Sequence, residues 1–315
     1  MAKTRLIFST DVHGSEMFWR KWLRSGEHYN ADVIIMSGDL TGKAIVPIIK
    51  KGEVFSCEYL GRKHVVKGEE KLQEIVKDIR LRGFYPYICA ISEARELRGN
   101  ERELERLFIR LMVEGIERWL GLVSQIVDKR TKVLVNPGND DIYEIDEIIR
   151  NSDRIIYPLN RVVQLDDKHE MISCEWVNPT PWNSSRECPE EELRKKLEKE
   201  FHTVEDFCNL ICNFHAPPFN TNLDVAPILN DQLRQRTTFG TPLMDHVGST
   251  AVREVILEKQ PYLSLHGHIH ESPGMQKLGR TTCLNPGSKY VSGVFSAYVI
   301  DLWPDRMNHW FISEY

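Results

Sequence analysis

The sequence has no run of about 18 uninterrupted apolar residues, which excludes a membrane-spanning helix of the usual length. It also contains no internal repeat and no low-complexity tract. Residues 1–8 lead directly into a strand-like run without the apolar h-region of a signal peptide. We therefore expect a cytoplasmic protein with no membrane partner.

The cysteine spacing and the charge balance each argue against one kind of site. The seven cysteines form no metal-binding pattern, because Cys208 and Cys212 have no second pair, and we interpret them as buried reduced thiols. The chain has 41 Lys and Arg against 46 Asp and Glu, a net charge of −5. A non-specific duplex binder needs a basic face, so nucleic acid is a disfavoured partner and only a local basic patch is compatible with this composition.

The overall composition is that of a globular protein. The chain has 315 residues, of which 41% are apolar and 28% charged. That length can bury a large core in one large domain or two ordinary ones. We predict a single domain over residues 1–315.

Polar clusters follow five apolar runs that are rich in β-branched residues. Buried strands are predicted at 5–10, 32–37, 131–135, 207–214 and 262–265. The clusters are, in order, Asp11-Val12-His13, Gly38-Asp39, Gly138-Asn139-Asp140-Asp141, Asn213-Phe214-His215 and Gly267-His268-Ile269-His270. Because ligand sites in α/β sheets lie outside the carboxyl ends of strands, we predict that these five loops converge.

A long stretch interrupts the strand–ligand pattern between the second and third clusters, at about residues 41–130. It predicts short strands, a helix at 69–81 and a long helical region. That region begins either at Asn100, with Glu103 completing a capping box, or already at Ser92. One face of that helical region carries Leu104, Phe108, Leu111, Trp119, Leu122 and Ile126. We predict an insertion of β and α elements that covers the active-site edge and influences substrate selectivity.

The residue types in the five loops are those that hold two divalent cations. The predicted metal ligands are Asp11, His13, Asp39, Asn139, His215, His268 and His270. Asp39 is the natural bridging carboxylate, and His268 and His270 would face the same way if they alternate along an extended segment. Two such ions would lower the pKa of a bridging water, and the resulting hydroxide would attack phosphorus. Mn²⁺ is the favoured cofactor, and Fe, Zn, Ni or Mg are alternatives.

The order of these motifs resembles that of the calcineurin-like metallophosphoesterase superfamily over Asp11 to His270. Three segments are similar to its small prokaryotic phosphodiesterase-like branch: His-Ala-Pro-Pro at 215–218, His-Val-Gly-Ser at 246–249 and Asn-Pro-Gly-Ser at 285–288. The resemblance implies an α/β fold, a four-layer αββα sandwich of two mixed sheets. It also implies that one ion is held by Asp11, His13, Asp39 and His270, and the other by Asp39, Asn139, His215 and His268.

One position departs from this pattern. Many members of the superfamily carry His directly after the Gly-Asn pair, and Asp140 stands there in this sequence. A carboxylate repels phosphate unless it is protonated or turned away, so the general-acid role is not carried over. His246 is a second candidate for phosphate contact, with a structural place in front of a helix as the alternative. His266 is interpreted as packed or as a support for the ligands.

The sequence thus predicts a metal-dependent phosphoric ester hydrolase acting on a small phosphodiester or phosphomonoester. Asp39, Asn139, Asp140 and His246 are its candidate catalytic residues. Two alternatives remain open: a nuclease on single-stranded or structured nucleic acid, and a non-catalytic, metal-dependent binding scaffold. The oligomeric state and the identity of the substrate are not determined by the sequence.

Overall fold

Residues 3–314 are described by a computed structural model, and they form a mixed α/β structure. The strands in chain order are β1 (Thr4–Thr10), β2 (Val33–Ser37), β3 (Ile45–Lys51), β4 (Val54–Tyr59), β5 (Arg62–Lys67), β6 (Tyr85–Cys89), β7 (Lys132–Asn136), β8 (Val163–Gln164), β9 (Glu170–Cys174), β10 (Leu210–Phe214), β11 (Val225–Pro227), β12 (Thr237–Thr238), β13 (Thr241–Pro242), β14 (Met244–His246), β15 (Leu263–Leu265), β16 (Gly274–Leu278), β17 (Thr281–Asn285), β18 (Phe295–Leu302) and β19 (Met307–Glu314).

Three of the α-helices in the described residues begin at caps that the sequence indicates. The helices are α1 (Glu16–His28), α2 (Glu69–Leu81), α3 (Ile91–Gly99), α4 (Glu101–Ile126), α5 (Glu144–Arg150), α6 (Glu190–Phe201) and α7 (Thr250–Lys259), with a 3₁₀ turn at Tyr290–Ser292. The side chains of Ser15, Asn100 and Ser249 each accept a hydrogen bond from a backbone N–H in the first turn of α1, α4 and α7. The capping box predicted at Asn100 is confirmed in its first half, the bond from Glu103 N to the Asn100 side chain.

Two large sheets carry the strands that precede the five polar clusters. The first sheet has the order β19-β18-β1-β2-β7, in which β1, β2 and β7 are parallel. The second has the order β16-β17-β15-β10-β9-β8, in which β9, β10, β15 and β17 are parallel. Parallel strands end at the same edge of their sheet, so each sheet gathers its clusters at one rim.

Three hydrophobic cores lie between the two large sheets and the helices that cover them. One core lies between the two sheets, where Phe8 and Ile35 of the first face Met171 and Leu265 of the second. Another packs the outer face of the first sheet against α1, α4 and α5, and a third packs the outer face of the second sheet against α6 and α7. This alternation follows from the strands, because successive side chains point to opposite faces.

The stretch between the second and third clusters contains its own sheet and its own core. Strands β5-β4-β3-β6 form that sheet, and Ile48 and Ile79 lie in the core that it shares with α2. The second half of α4 packs elsewhere: Trp119 stacks on Trp19 of α1, with ring centroids 4.8 Å apart, inside the core of the first sheet. Leu104, expected on the buried stripe, is 40% exposed. The limits of the insertion remain a prediction.

Two findings bear on the absences noted in the sequence. Among residues 3–314, no helix is both long and apolar enough to cross a membrane. All seven cysteines are free, and every one except Cys208 is buried, as expected for reduced thiols.

Candidate metal centre

Predicted ligands from four of the five loops lie close together at the rim of the two sheets. Asp11, His13, Asp39 and His270 form one group, in which the ligand atoms all lie within 4.8 Å of one another. A second group, formed on the same criterion, consists of Asp39, His215 and His268. Residues separated by more than 250 positions are therefore neighbours, and Asp39 belongs to both groups.

Asp39 presents one carboxylate oxygen to each group. Its Oδ2 lies 3.6 Å from Nε2 of His13, and its Oδ1 lies 3.4 Å from Nε2 of His215. The two groups also meet at Asp11, whose Oδ1 is 3.4 Å from Nε2 of His270 and 3.8 Å from Nε2 of His215. A bridging ligand needs one oxygen toward each ion, and the Asp39 carboxylate has this arrangement.

Several polar atoms of this site are buried without a hydrogen-bond partner among the described residues. They are Nδ1 of His13, Oδ1 of Asn139, and both ring nitrogens of His215. In proteins, buried polar atoms are nearly always paired, because leaving one unpaired costs about 1–3 kcal/mol. Imidazole nitrogen, carboxylate and amide oxygen are ligands of divalent transition metals, so these residues fit two such cations.

Four of the ligands have left-handed backbones, which non-glycine residues seldom adopt. The φ angles are 55° at Asp11, 39° at His13, 49° at Asp39 and 66° at His268. The expected reason for the common direction of His268 and His270 is therefore wrong. Strand β15 ends at Leu265, and the two histidines reach the site from a loop instead of alternating along a strand.

Two glycines allow the loops to approach this closely. A Cβ atom on Gly38 would lie 2.3 Å from Nδ1 of His215, and one on Gly138 would lie 2.4 Å from Oδ1 of Asp39. Contacts this short do not occur between a Cβ and another heavy atom. The second and third clusters therefore need glycine for the passage of neighbouring side chains as well as for the turn.

The amide of Asn139 is oriented by a loop that sequence reasoning left without a role. Its Nδ2 donates to Oγ of Ser184 at 2.7 Å, and that hydroxyl donates to Oε1 of Glu187 at 2.5 Å. This chain of bonds fixes the flip of the amide and leaves Oδ1 buried without a hydrogen-bond partner among the described residues. The fully buried Arg186 of the same loop donates to the backbone carbonyls of Gly138 and Asp141. The richness of residues 178–189 in Ser and Pro was the one available signal.

Asp141 joins the second and third clusters. Its buried carboxylate accepts hydrogen bonds from the backbone N–H groups of Leu40, Thr41 and Gly138, at 2.8–2.9 Å. Burial and the Asp39 carboxylate raise the pKa of Asp141 to about 6, against the opposing effect of these bonds. The residue thus holds two ligand loops at a fixed separation.

The electrostatics of the cluster favour the ligand forms of Asp39, His13 and His268, and the protonated form of His215. Burial would raise the pKa of Asp39, but His215 and His13 outweigh it and hold that pKa well below its usual range. Burial lowers the pKa of His13 to about 3 and that of His268 to about 4. At His215 burial is opposed by Asp39 and Asp11, and the pKa rises to about 9. Ionised carboxylates and neutral imidazoles are the forms that coordinate metal, so a cation at His215 would displace a proton.

The other candidate residues lie at the border of the site or outside it. Asp140 is not among the grouped ligands: its Oδ2 lies 2.7 Å from Nζ of Lys43 and 4.0 Å from Nδ1 of His13. His246 belongs to neither group, because its Nδ1 pairs with the buried Asp224 at 2.8 Å. His266 is fully buried, with Nδ1 within 3.0 Å of the carbonyl oxygens of Phe214 and Ala216, and so supports the loop that carries His215. Phosphate contact by His246 stays a prediction.

Comparisons with known proteins give one sequence relative and several similar folds. No protein-family model matches the chain. The uncharacterized protein MJ1162 of Methanocaldococcus jannaschii is 32% identical over 161 residues, which are 50% of this chain and 65% of that protein. The match thus spans less than two thirds of the relative's length.

Several solved structures align with nearly the whole length of this chain. One crystal structure superposes with a TM-score of 0.58 at 14% identity, covering 99% of both chains. TT1561 of Thermus thermophilus superposes with a TM-score of 0.52 at 12% identity, covering 98% of this chain and 99% of that one. A dimetal phosphatase from Danio rerio gives a TM-score of 0.47 at 9% identity, covering 98% of each. At these identities a TM-score above 0.5 shows a shared fold and does not by itself show a shared function.

Proposed function

We propose that this chain, which has the fold of the calcineurin-like metallophosphoesterases, is a two-metal phosphoesterase that hydrolyses a small phosphodiester or phosphomonoester. The observation that carries the proposal is the position of Asp39, with one oxygen toward each of two ligand groups. We further propose that the three cores correspond to a four-layer αββα sandwich and that the chain falls in the small prokaryotic phosphodiesterase-like branch. Mn²⁺ is the favoured metal.

The residues of the site would divide the work as follows. Asp11, His13, Asp39 and His270 would hold one cation, and Asp39, Asn139, His215 and His268 the other. When bound, two such cations lower the pKa of water and neutralise charge on phosphoryl oxygens. Ser184 and Asp141 would keep the ligand loops in place, so that the ligands need little rearrangement.

Two other functions remain as alternatives. A nuclease would need a basic groove, and the net charge of −5 gives no support for one. Steep salt dependence of oligonucleotide binding would favour it. A non-catalytic, metal-dependent scaffold would need intact ligands without turnover, and a co-purifying partner together with stoichiometric metal would favour it.

The experiment is hydrolysis of an aryl phosphodiester and an aryl phosphomonoester with added Mn²⁺, with bound metal counted by mass spectrometry. Asp39→Asn should lower activity at least about 100-fold, because it weakens the ligand shared by both ions. Asp167→Asn, an exposed carboxylate outside both ligand groups, is the matched control and should retain activity. No turnover with any divalent metal would contradict an enzymatic role.

A further inference from the structure

We propose that Lys43 binds the phosphoryl group of the substrate through its ammonium group, which Asp140 of the third cluster holds in place. The inference rests on the proposed function, since it names a substrate-binding residue for that site. Lys43 lies outside all five clusters, at the start of the stretch before β3, and nothing in its sequence neighbourhood marks it.

The position of the Lys43 ammonium is fixed by Asp140. Nζ lies 2.7 Å from Oδ2 of Asp140, and that same oxygen is 4.0 Å from Nδ1 of His13. The backbone N–H of Asp140 donates to Oδ1 of Asp39 at 3.0 Å. The residue that holds the ammonium is thus bonded to the carboxylate shared by both ligand groups, so the ammonium stands beside the groups rather than over a distant surface.

The ammonium can still reach a ligand from solvent. The side chain of Lys43 is 54% exposed and that of Asp140 is 25% exposed. An ammonium group has three N–H donors, and Asp140 is the one ion-pair partner of Lys43 within residues 3–314. Asp140 by itself would repel a phosphate, but the ion pair carries no net charge and leaves donors for a phosphoryl oxygen.

The backbone that carries Lys43 is anchored to the first ligand loop. Gly42 precedes Lys43, and a Cβ atom on Gly42 would lie 2.2 Å from the carbonyl oxygen of Gly83. A Cβ atom on Gly14, next to His13, would lie 2.6 Å from Cα of Gly42. The N–H of Gly42 also donates to the buried Tyr85 hydroxyl at 2.9 Å. Backbone-to-backbone packing on both sides keeps the origin of the lysine side chain at a constant distance from the site.

A salt bridge that only stabilises the fold would predict something different. Surface pairs of this kind contribute little to stability, and the Lys67–Glu53 pair of the same stretch, 3.6 Å apart, is an example that contains no residue of either ligand group. If Lys43 were equivalent to Lys67, replacing either lysine would leave substrate affinity unchanged. If Lys43 binds the phosphoryl group, only its own replacement weakens binding.

The test compares the metal-loaded wild type with Lys43→Met, Lys43→Arg and the control Lys67→Met. Calorimetry measures the affinity for inorganic phosphate, steady-state kinetics give KM and kcat for an aryl phosphodiester, and mass spectrometry counts bound metal. Lys43→Met should weaken phosphate binding and raise KM about 10- to 100-fold, the range of a lost charge-assisted hydrogen bond, with bound metal unchanged. Lys43→Arg should give intermediate values, and Lys67→Met wild-type values.

The outcomes separate this inference from the proposed function. Phosphate affinity and KM in Lys43→Met within about twofold of the wild type would overturn the inference while leaving the phosphoesterase intact. Loss of bound metal in Lys43→Met would also overturn it, because the residue would then act on the metal site. If the wild type shows no turnover but its phosphate affinity depends on Lys43, the inference holds and the proposed function fails.

Discussion

The rim of the two large sheets and the small sheet β5-β4-β3-β6 use glycine in opposite ways. At the rim, Gly38 has a φ of 84° and a neighbouring imidazole occupies the place of its Cβ. In the small sheet, Gly61 has a φ of 69°, and no atom lies within 4 Å of the place where its Cβ would be. The backbone conformation is similar and the surroundings differ. Strain and close approach coincide where the charged ligands are, whereas the turns at Gly52, Gly61 and Gly68 have a positive φ without the crowding.

The largest expected effect comes from adding one methyl group at the rim. Gly38→Ala should abolish tight Mn²⁺ binding, with affinity lowered at least about 100-fold, because its Cβ would displace His215 from Asp39. Gly61→Ala is the matched control, since it has the same unfavourable φ and open surroundings; it should cost about 1 kcal/mol of stability and leave metal affinity unchanged. Calorimetry with Mn²⁺ and thermal unfolding measure both. An equal loss of Mn²⁺ affinity in the two variants would contradict the proposed difference between the rim and the small sheet.

A second contrast separates the core of the first sheet from the core of the small sheet. Trp119→Ala should lower the free energy of unfolding of the whole chain by about 3–5 kcal/mol, because the ring stacks on Trp19 in the main core. Ile48→Ala should cost about 2–5 kcal/mol in local stability, and hydrogen exchange should increase in β3–β6 and α2 before it does elsewhere.

This pair of variants tests where the insertion ends. If Trp119→Ala increased exchange in the small sheet and spared α1, α4 would belong to the insertion along its whole length. Urea unfolding of both variants, followed by circular dichroism, supplies the global free energies. A common loss of structure in both variants would mean that the two cores unfold as one cooperative unit.

Sequence reasoning found the ligands because of a general property of parallel sheets. Strands β1, β2, β7, β10 and β15 were recognisable as apolar runs, and parallel strands bring the loops after them to one edge. Asp39 and His215 could be paired in this way without knowledge of loop geometry. The same reasoning gave a wrong reason for His268, because nothing in the sequence reveals a left-handed φ at a histidine.

The supporting residues could not be found in that way. Ser184 is 45 positions from Asn139, in a loop with no periodicity, and Lys43 is 97 positions from Asp140. Such pairs depend on how loops fold back over the rim, and local propensity does not encode it. The helical stripe had a similar limit: its period shows that Trp119 faces a core, but not which of the cores it enters.

A moderate effect is expected at the loop that orients Asn139. Ser184→Ala should lower Mn²⁺ affinity about 10-fold, because the Asn139 amide loses the acceptor that fixes its flip and leaves Oδ1 free for a metal ion. The exposed neighbour Ser185 provides the control Ser185→Ala, which should bind Mn²⁺ as the wild type does. Metal titration by calorimetry measures both variants. Unchanged affinity in Ser184→Ala would mean that Asn139 is held by other contacts or does not coordinate.

The smallest expected effect concerns Asp166, in the turn between β8 and β9. Burial would raise its pKa, but hydrogen bonds from Thr4, Lys168 and His169 outweigh that effect and lower the pKa to about 2. A carboxyl whose pKa is lower in the folded than in the unfolded protein stabilises the fold above its unfolded pKa, and that contribution is lost as pH falls toward 2. The side chain is partly exposed, so solvent screening limits the effect to about 1 kcal/mol.

The measurement is unfolding of the wild type and Asp166→Asn in EDTA, which removes the contribution of bound metal. The difference in free energy of unfolding should be constant above about pH 5 and should shrink as pH falls from about 4 to 2, because the wild type alone has this carboxyl to protonate. Since Asp166 belongs to neither ligand group, the same difference should appear with Mn²⁺ present at neutral pH. A difference in free energy of unfolding that depended on metal would show that this turn is coupled to the ligand rim. The stability of the second sheet could then not be treated separately from the metal site.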